Sequence, residues 1–167
     1  MQSFEFTVPI AAPPQRVADE FWNLESWPAV APHVRAIDLI YADDNVQLLL
    51  MTVATRDRID RFKSVRMREA GAIHYMQPEP PRILRHHHGS WTFAESAAGT
   101  VVTSLHTIDV DVNAAREVLR EMGRDPEGDA AVAAAIQGLI HNNSLQTMTA
   151  LKARIEAEES HVHDATA

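Results

Sequence analysis

The stretch "ILRHHHGSWTFAES" (residues 83–96) decides how the rest of the chain is read. Three consecutive histidines, then a glycine and a tryptophan, fit a metal site, an appended tag or one wall of a cavity. If the segment is a strand, neighbouring side chains point to opposite faces. Trp91 and Phe93 are the bulky apolar pair and take the core face. His87 and Gly89 then share that face, and His86, His88, Ser90 and Thr92 take the other. Consecutive histidines on a strand therefore do not converge, whereas a tetrahedral zinc site needs three or four ligands on one side. His87 would have to be joined by residues such as His106 and His33, and nothing in the spacing demands it. A tag does not suit a run lodged mid-chain inside a patterned segment.

Outward from this segment, turn residues separate a series of further strand candidates. Upstream lie "VRAIDLIYA" (34–42), "VQLLLMTVAT" (46–55), "IDRFKSVRMRE" (59–69) and "AIHYMQP" (72–78); downstream lies "TVVTSLHTIDVDV" (100–112). Such regular spacing argues for an antiparallel meander. At the start, "SFEFTVPI" (3–10) alternates cleanly. It leads into a helix that begins at Pro13 and Pro14 and carries Val17, Phe21 and Leu24 at helical spacing. "SWP" is expected to break that helix at Trp27 and Pro28, with a second short helix through "AVAPHV" (29–34). After the last strand comes a short helix stopped by Gly123. One long helix then runs from Ala130 to about Glu159, with Ile136, Ile140, Leu151 and Ile155 near one stripe. The order β, α, α, several β, α, long α predicts an α+β fold. In it, a curved antiparallel sheet of about seven strands has its concave face covered by the long C-terminal helix, leaving an interior cavity. Residues 1–159 read as one such domain and 160–167 as a polar tail.

With 167 residues and a hydrophobic fraction of 46%, the chain suits a single core. A formal net charge of −8 repels phosphate backbones and argues against nucleic acid. The absence of cysteine removes disulfide and thiolate chemistry. The opening "MQSFEFTVPI" lacks the pattern of a signal peptide, and no apolar run reaches the roughly 20 residues of a membrane span. A cytoplasmic protein without membrane contact is the expectation.

Strand parity also sorts the polar residues. Phe62, Ser64 and Arg66 share one face, as do Ser104, His106 and Ile108 on a later strand. Taken singly, Arg66 fits a surface arginine and His106 a satisfied buried histidine. On the long helix, Asn143 and Thr147 stand four apart, beside the stripe of Ile140 and Leu151. Together, an arginine, a histidine and small polar groups would face an apolar hollow lined by Trp27, Phe62 and Trp91. That is the makeup of a ligand pocket. The substrate-binding set read from this pattern is Trp27, Phe62, Ser64, His87, Trp91, Ser104, Asn143 and Thr147, around Arg66 and His106.

Several motifs, in order, resemble the single-domain aromatase/cyclases of bacterial type II polyketide synthesis, members of the START/Bet v 1-like superfamily. They are "VPIAAPPQRVADEFWNLESWP" (8–28) with its Glu-x-Trp-Pro segment, "RFKSVR" (61–66) with its aromatic-x-Ser-x-Arg pattern, "SWTF" (90–93), "AAGTVVT" (97–103) and "HNNSLQTMTALKARIE" (141–156). The resemblance implies a helix-grip fold. It also implies an enzyme that folds a carrier-protein-tethered poly-β-ketone, promotes regioselective aldol closure and dehydrates the new ring to an aromatic. It implies no cofactor and no metal. Its partners would be an acyl carrier protein and the other type II synthase subunits. The family's arginine falls on Arg66, its aromatic neighbour on Phe62, and a subgroup's strand histidine on His106. A permanently cationic Arg66 suits a developing oxyanion, and His106 suits base and then acid chemistry.

One departure stands out. Where the family carries an acidic or amide residue on the final helix, this chain is read as having Thr147: either Asn143 or a water substitutes, or the histidine has no such partner. Docking of an acidic carrier protein would call for a basic patch, for which Arg56, Arg58, Arg61 and Lys63 are the candidates, or else a solvated charged strand. The alternatives to a first-ring cyclase are a binding module for a hydrophobic or aromatic small molecule and a later-ring cyclase on the same fold.

Overall fold

The computed structural model describes residues 1–55 and 58–165. Seven strands form one antiparallel sheet in the order β1-β7-β6-β5-β4-β3-β2. They are β1 (Gln2–Ile10), β2 (Val34–Ala42), β3 (Val46–Thr55), β4 (Arg58–Glu69), β5 (Ala72–Glu79), β6 (Leu84–Ser96) and β7 (Gly99–Val110). The hairpin series β2 to β7 runs across the sheet from one edge. The chain's first strand closes the other edge by pairing with its last, from Gln2 opposite Ile108 to Ile10 opposite Thr100. The connection between the two edges is helical: α1 (Pro14–Trp22), a 3-10 turn at Leu24–Ser26 and α2 (Trp27–Val30). Two helices finish the chain, α3 (Val112–Glu121) and α4 (Asp129–Ala165).

Two expectations are corrected here. Pro28 opens the second helix instead of only ending the first, because a proline in a helix's first turn forfeits no hydrogen bond. The helix therefore covers 27–30, not 29–34. At the other end, α4 continues past Glu159 to Ala165. The stretch from 160 to 165 contains neither Gly nor Pro, so nothing interrupts its backbone ladder. The stop at Gly123 is as expected: its φ of 73° is the left-handed geometry that ends a helix, and Arg124 N–H bonds back to Leu119 O.

The sheet's inner face and α4 bury two apolar clusters. At one end Met148, Leu151 and Ile155 pack with Val8, Ile10, Val17, Phe21 and Phe93. At the other, Val132 and Ile136 pack with Leu84, Ile108, Val110 and Leu119. Full burial of side chains such as Ile136, Leu151 and Ile155 is worth about 1.5–3 kcal/mol each. Between these anchors α4 presents Asn143, Ser144 and Thr147, and they border the cavity. The helix is thus pinned at both ends, and between them it brings these polar groups to the cavity beside Leu139 and Ile140.

Candidate active site

The cavity between α4 and the sheet measures about 210 Å³. Its aromatic and apolar wall includes Phe21, Trp27, Leu49, Met51, Phe62 and Trp91, and its polar groups include Ser64, Arg66, Tyr75, Gln77, His87 and His106. The register places the key groups in a single row across the strands. Gln47 faces Arg66, Arg66 faces Tyr75, Tyr75 faces Gly89, Gly89 faces His106, and His106 faces Phe4.

Arg66 is 2% exposed. Its Nη1 donates to Gln47 Oε1 at 3.0 Å and to Trp22 O at 3.5 Å, and its Nη2 donates to Phe21 O. These carbonyls close the C-terminal end of α1, the negative end of the helix dipole. The guanidinium also lies 5.2, 5.3 and 5.6 Å from the ring centres of Trp22, Trp27 and Trp91. Burial pulls its pKa down to about 9, so it remains a cation at neutral pH. Among the described residues no carboxylate is paired with it, and its Nε has no partner. Four other buried atoms without a hydrogen-bond partner belong to cavity residues: Trp27 Nε1, Trp91 Nε1, His33 Nδ1 and Gln77 Oε1.

His106 is held on both nitrogens. Nδ1 lies 2.7 Å from Tyr75 Oη and 3.1 Å from His87 Nε2, and Nε2 lies 3.1 Å from both Ser104 Oγ and Ser144 Oγ. Phe4, Phe6 and His87 stack against its ring. Burial, with His141 adding a smaller effect, lowers its pKa to about 4, and burial lowers His87 to about 3. Both imidazoles are neutral at pH 7.

Most of the residues expected at the site line the cavity: Trp27, Phe62, Ser64, Arg66, His87, Trp91, His106, Asn143 and Thr147. Ser104 does not. It is fully buried and bonds His106 from within the sheet–helix contact. The helix residue on His106 is Ser144, not Thr147 or Asn143. Thr147 Oγ1 instead bonds the Asn143 carbonyl at 3.1 Å and meets His33 Nε2 at 3.2 Å. Sequence reasoning also missed Tyr75 and Gln47. Tyr75 alternates with Ile73 and Gln77 in "AIHYMQP", and that parity was the available signal.

The three histidines divide as expected. His87 is inside, while His86 Nε2 and His88 Nδ1 meet at 2.8 Å on the other face. Among the described residues no group of three or more His, Cys, Asp or Glu is placed to hold a metal ion. Of the proposed basic patch, Arg58 is bound to Glu121 at 2.5 Å and Lys63 to Glu79 at 2.6 Å, each a neutralised pair. Arg61 is exposed and forms no ion pair among the described residues, and Arg56 lies outside them. Among the described residues no helix is long and apolar enough to cross a membrane.

Sheet, gripping helix and the cavity between them define a helix-grip domain with a hollow of mixed apolar and polar lining. The chain belongs to the family described as polyketide cyclase / dehydrase and lipid transport, whose model matches residues 1–156. It is 29% identical over 150 residues to the granaticin polyketide synthase bifunctional cyclase/dehydratase of Streptomyces violaceoruber, across 87% of this chain and 45% of that protein. It superposes with a TM-score of 0.83 on the di-domain aromatase/cyclase StfQ of the steffimycin pathway, at 23% identity, covering 95% of this chain and 51% of that one. The aromatase/cyclase ZhuI from Streptomyces sp. R1128 shares the fold over 93% of both chains, with a TM-score of 0.78 and 20% identity. The chain spans about half the length of the curated relative and of StfQ.

Proposed function

We propose that this chain is a polyketide aromatase/cyclase, closing and dehydrating a ring on a poly-β-ketone delivered by an acyl carrier protein. The observation that carries the reading is Arg66: a buried cation beside the cavity, with no carboxylate partner among the described residues and a free Nε. Such a site lacks an anion, and the reaction generates one. A neutral His106 takes a methylene proton flanked by two ketones. Ser144, in the cavity wall and 3.1 Å from Nε2, offers the proton a route. The enolate carbon attacks a ketone carbon further along the chain, forming one C–C bond, and the oxygen that gains the negative charge lies toward Arg66. Protonation gives the aldol. Loss of that hydroxyl with a neighbouring proton releases water and, with enolisation, yields the aromatic ring. The unpartnered N–H groups of Trp27 and Trp91 suit further ketone oxygens, which accept only. Holding a floppy chain folded lowers the barrier alongside the acid–base groups.

Arg61, exposed and in no ion pair among the described residues, is the remaining described residue of the basic set for carrier-protein docking. The test is product analysis of a minimal synthase reconstituted with and without this chain. A shift from spontaneous products to one aromatic regioisomer, lost with Arg66→Met and with His106→Ala, is expected. Unchanged products over several chain lengths would overturn the reading. A second reading, a binding module for an aromatic molecule, draws on His106 having both nitrogens engaged by the protein. Tight binding of a polycyclic ligand with no change in products would favour it.

A further inference from the structure

The glycine of "HHHG" has a use that the histidines beside it do not explain. Gly89 sits between Tyr75 on β5 and His106 on β7 in the cross-strand row. A Cβ on residue 89 would fall 2.0 Å from Leu105 O and 2.5 Å from Tyr75 Oη. The space left by the missing side chain is filled by the end of the Tyr75 ring. Tyr75 thereby crosses a whole strand and brings its hydroxyl to 2.7 Å from His106 Nδ1. The same oxygen lies 3.4 Å from Leu105 O.

We infer that Tyr75 is a positioning residue for His106, and that Gly89 is what lets it reach. The inference rests on His106 being the base of the proposed cyclisation. Burial pushes the phenol pKa upward, so the hydroxyl keeps its proton and can both donate and accept. A histidine acting at Nε2 must carry its resting proton on Nδ1 and needs an acceptor there. Tyr75 oxygen is that acceptor, with its own O–H turned to Leu105 O. After His106 takes a substrate proton, the imidazolium presents N–H on both nitrogens, and the same arrangement still satisfies Nδ1. Ser104 and Ser144 hydroxyls crowd Nε2, the side from which the proton arrives. Tyr75 holds the place that a carboxylate holds in catalytic triads. It does so without adding a negative charge to a cavity whose reaction already develops one. His87 Nε2, 3.1 Å from Nδ1, is the weaker alternative partner.

The experiment has two arms. In the first, the imidazole nitrogen shifts of His106 are read by NMR in the free protein and in Tyr75→Phe. The parent is expected to show the proton on Nδ1, and the variant a population moved toward Nε2. In the second, turnover of the poly-β-ketone is expected to fall about tenfold in kcat, with KM changed by less than about twofold. That loss is smaller than the roughly 10²–10⁴-fold contribution of a general base. An unchanged tautomer in Tyr75→Phe overturns the inference. So does a moved tautomer with unchanged kcat where His106→Ala has lost turnover. If His106→Ala itself leaves products unchanged, the cyclase reading fails, while the tautomer arm still decides whether Tyr75 positions the imidazole.

Discussion

Arg66 and His106, toward the two ends of the cross-strand row, meet the same problem, burial of an ionisable group, and answer it differently. Arg66 cannot shed its charge. It is held by backbone carbonyls and a glutamine, faces three tryptophan rings, and is pulled down to about 9 by burial. Its environment therefore disfavours the cation on balance, even with those bonds made. His106 escapes the cost by remaining neutral, and its four polar neighbours can each reverse their donor and acceptor roles. One end is a fixed charge with no carboxylate partner among the described residues. The other is a neutral imidazole whose hydrogen-bonding neighbours can adjust. Perturbed groups of this kind concentrate at functional sites.

Replacing Arg66 by methionine probes the comparison most strongly. Product formation should fall by at least about 10²-fold, the scale of an oxyanion donor. Stability should stay within about 1 kcal/mol of the parent or exceed it, since a desolvated cation is removed. Chemical denaturation is the measurement, and a loss above about 2 kcal/mol would mean that the carbonyl bonds outweigh desolvation. Gly89→Ala should cost about 3 kcal/mol, because the obstructing Leu105 O is backbone that cannot swing aside. A melting temperature equal to the parent's would contradict the tight Tyr75 crossing.

Acid separates the two ends next. His106 has a folded pKa of about 4, below its ordinary 6.5, so between these values the unfolded chain binds more protons. Stability is then fully present above about pH 6.5 and is lost as pH falls toward 4, by up to about 3 kcal/mol from this group. His87, at about 3, extends the loss to lower pH. Denaturation at pH 7 and pH 4.5 should show the drop in the parent and a smaller one in His106→Gln. Equal drops would assign the acid sensitivity elsewhere. Ser144→Ala is the mildest test: a few-fold fall in kcat and about 1 kcal/mol of stability. An effect on kcat as large as that of His106→Ala would make the serine an obligate proton carrier.

Strand parity and helix spacing went far on this chain because both are local. Phe62, Ser64 and Arg66 had to share a face, His87 had to turn inward with Trp91, and His86 and His88 had to turn away, whatever the neighbouring strands did. The β, α, α, β-meander, α, long α order and the fold it implies were legible for the same reason. Register was not. A period of two names the face of a residue but not the residue beside it, and only the pairing of β4, β5, β6 and β7 aligns Arg66, Tyr75, Gly89 and His106. Helix rotation was also beyond reach. Asn143, Ser144 and Thr147 all lie toward the cavity, and the packing of Met148, Leu151, Ile136 and Val132 at the two ends of the helix puts Ser144 on His106 and Thr147 on His33. Which side of each element is buried follows from local geometry, while which atoms meet across the cavity is set by long-range packing.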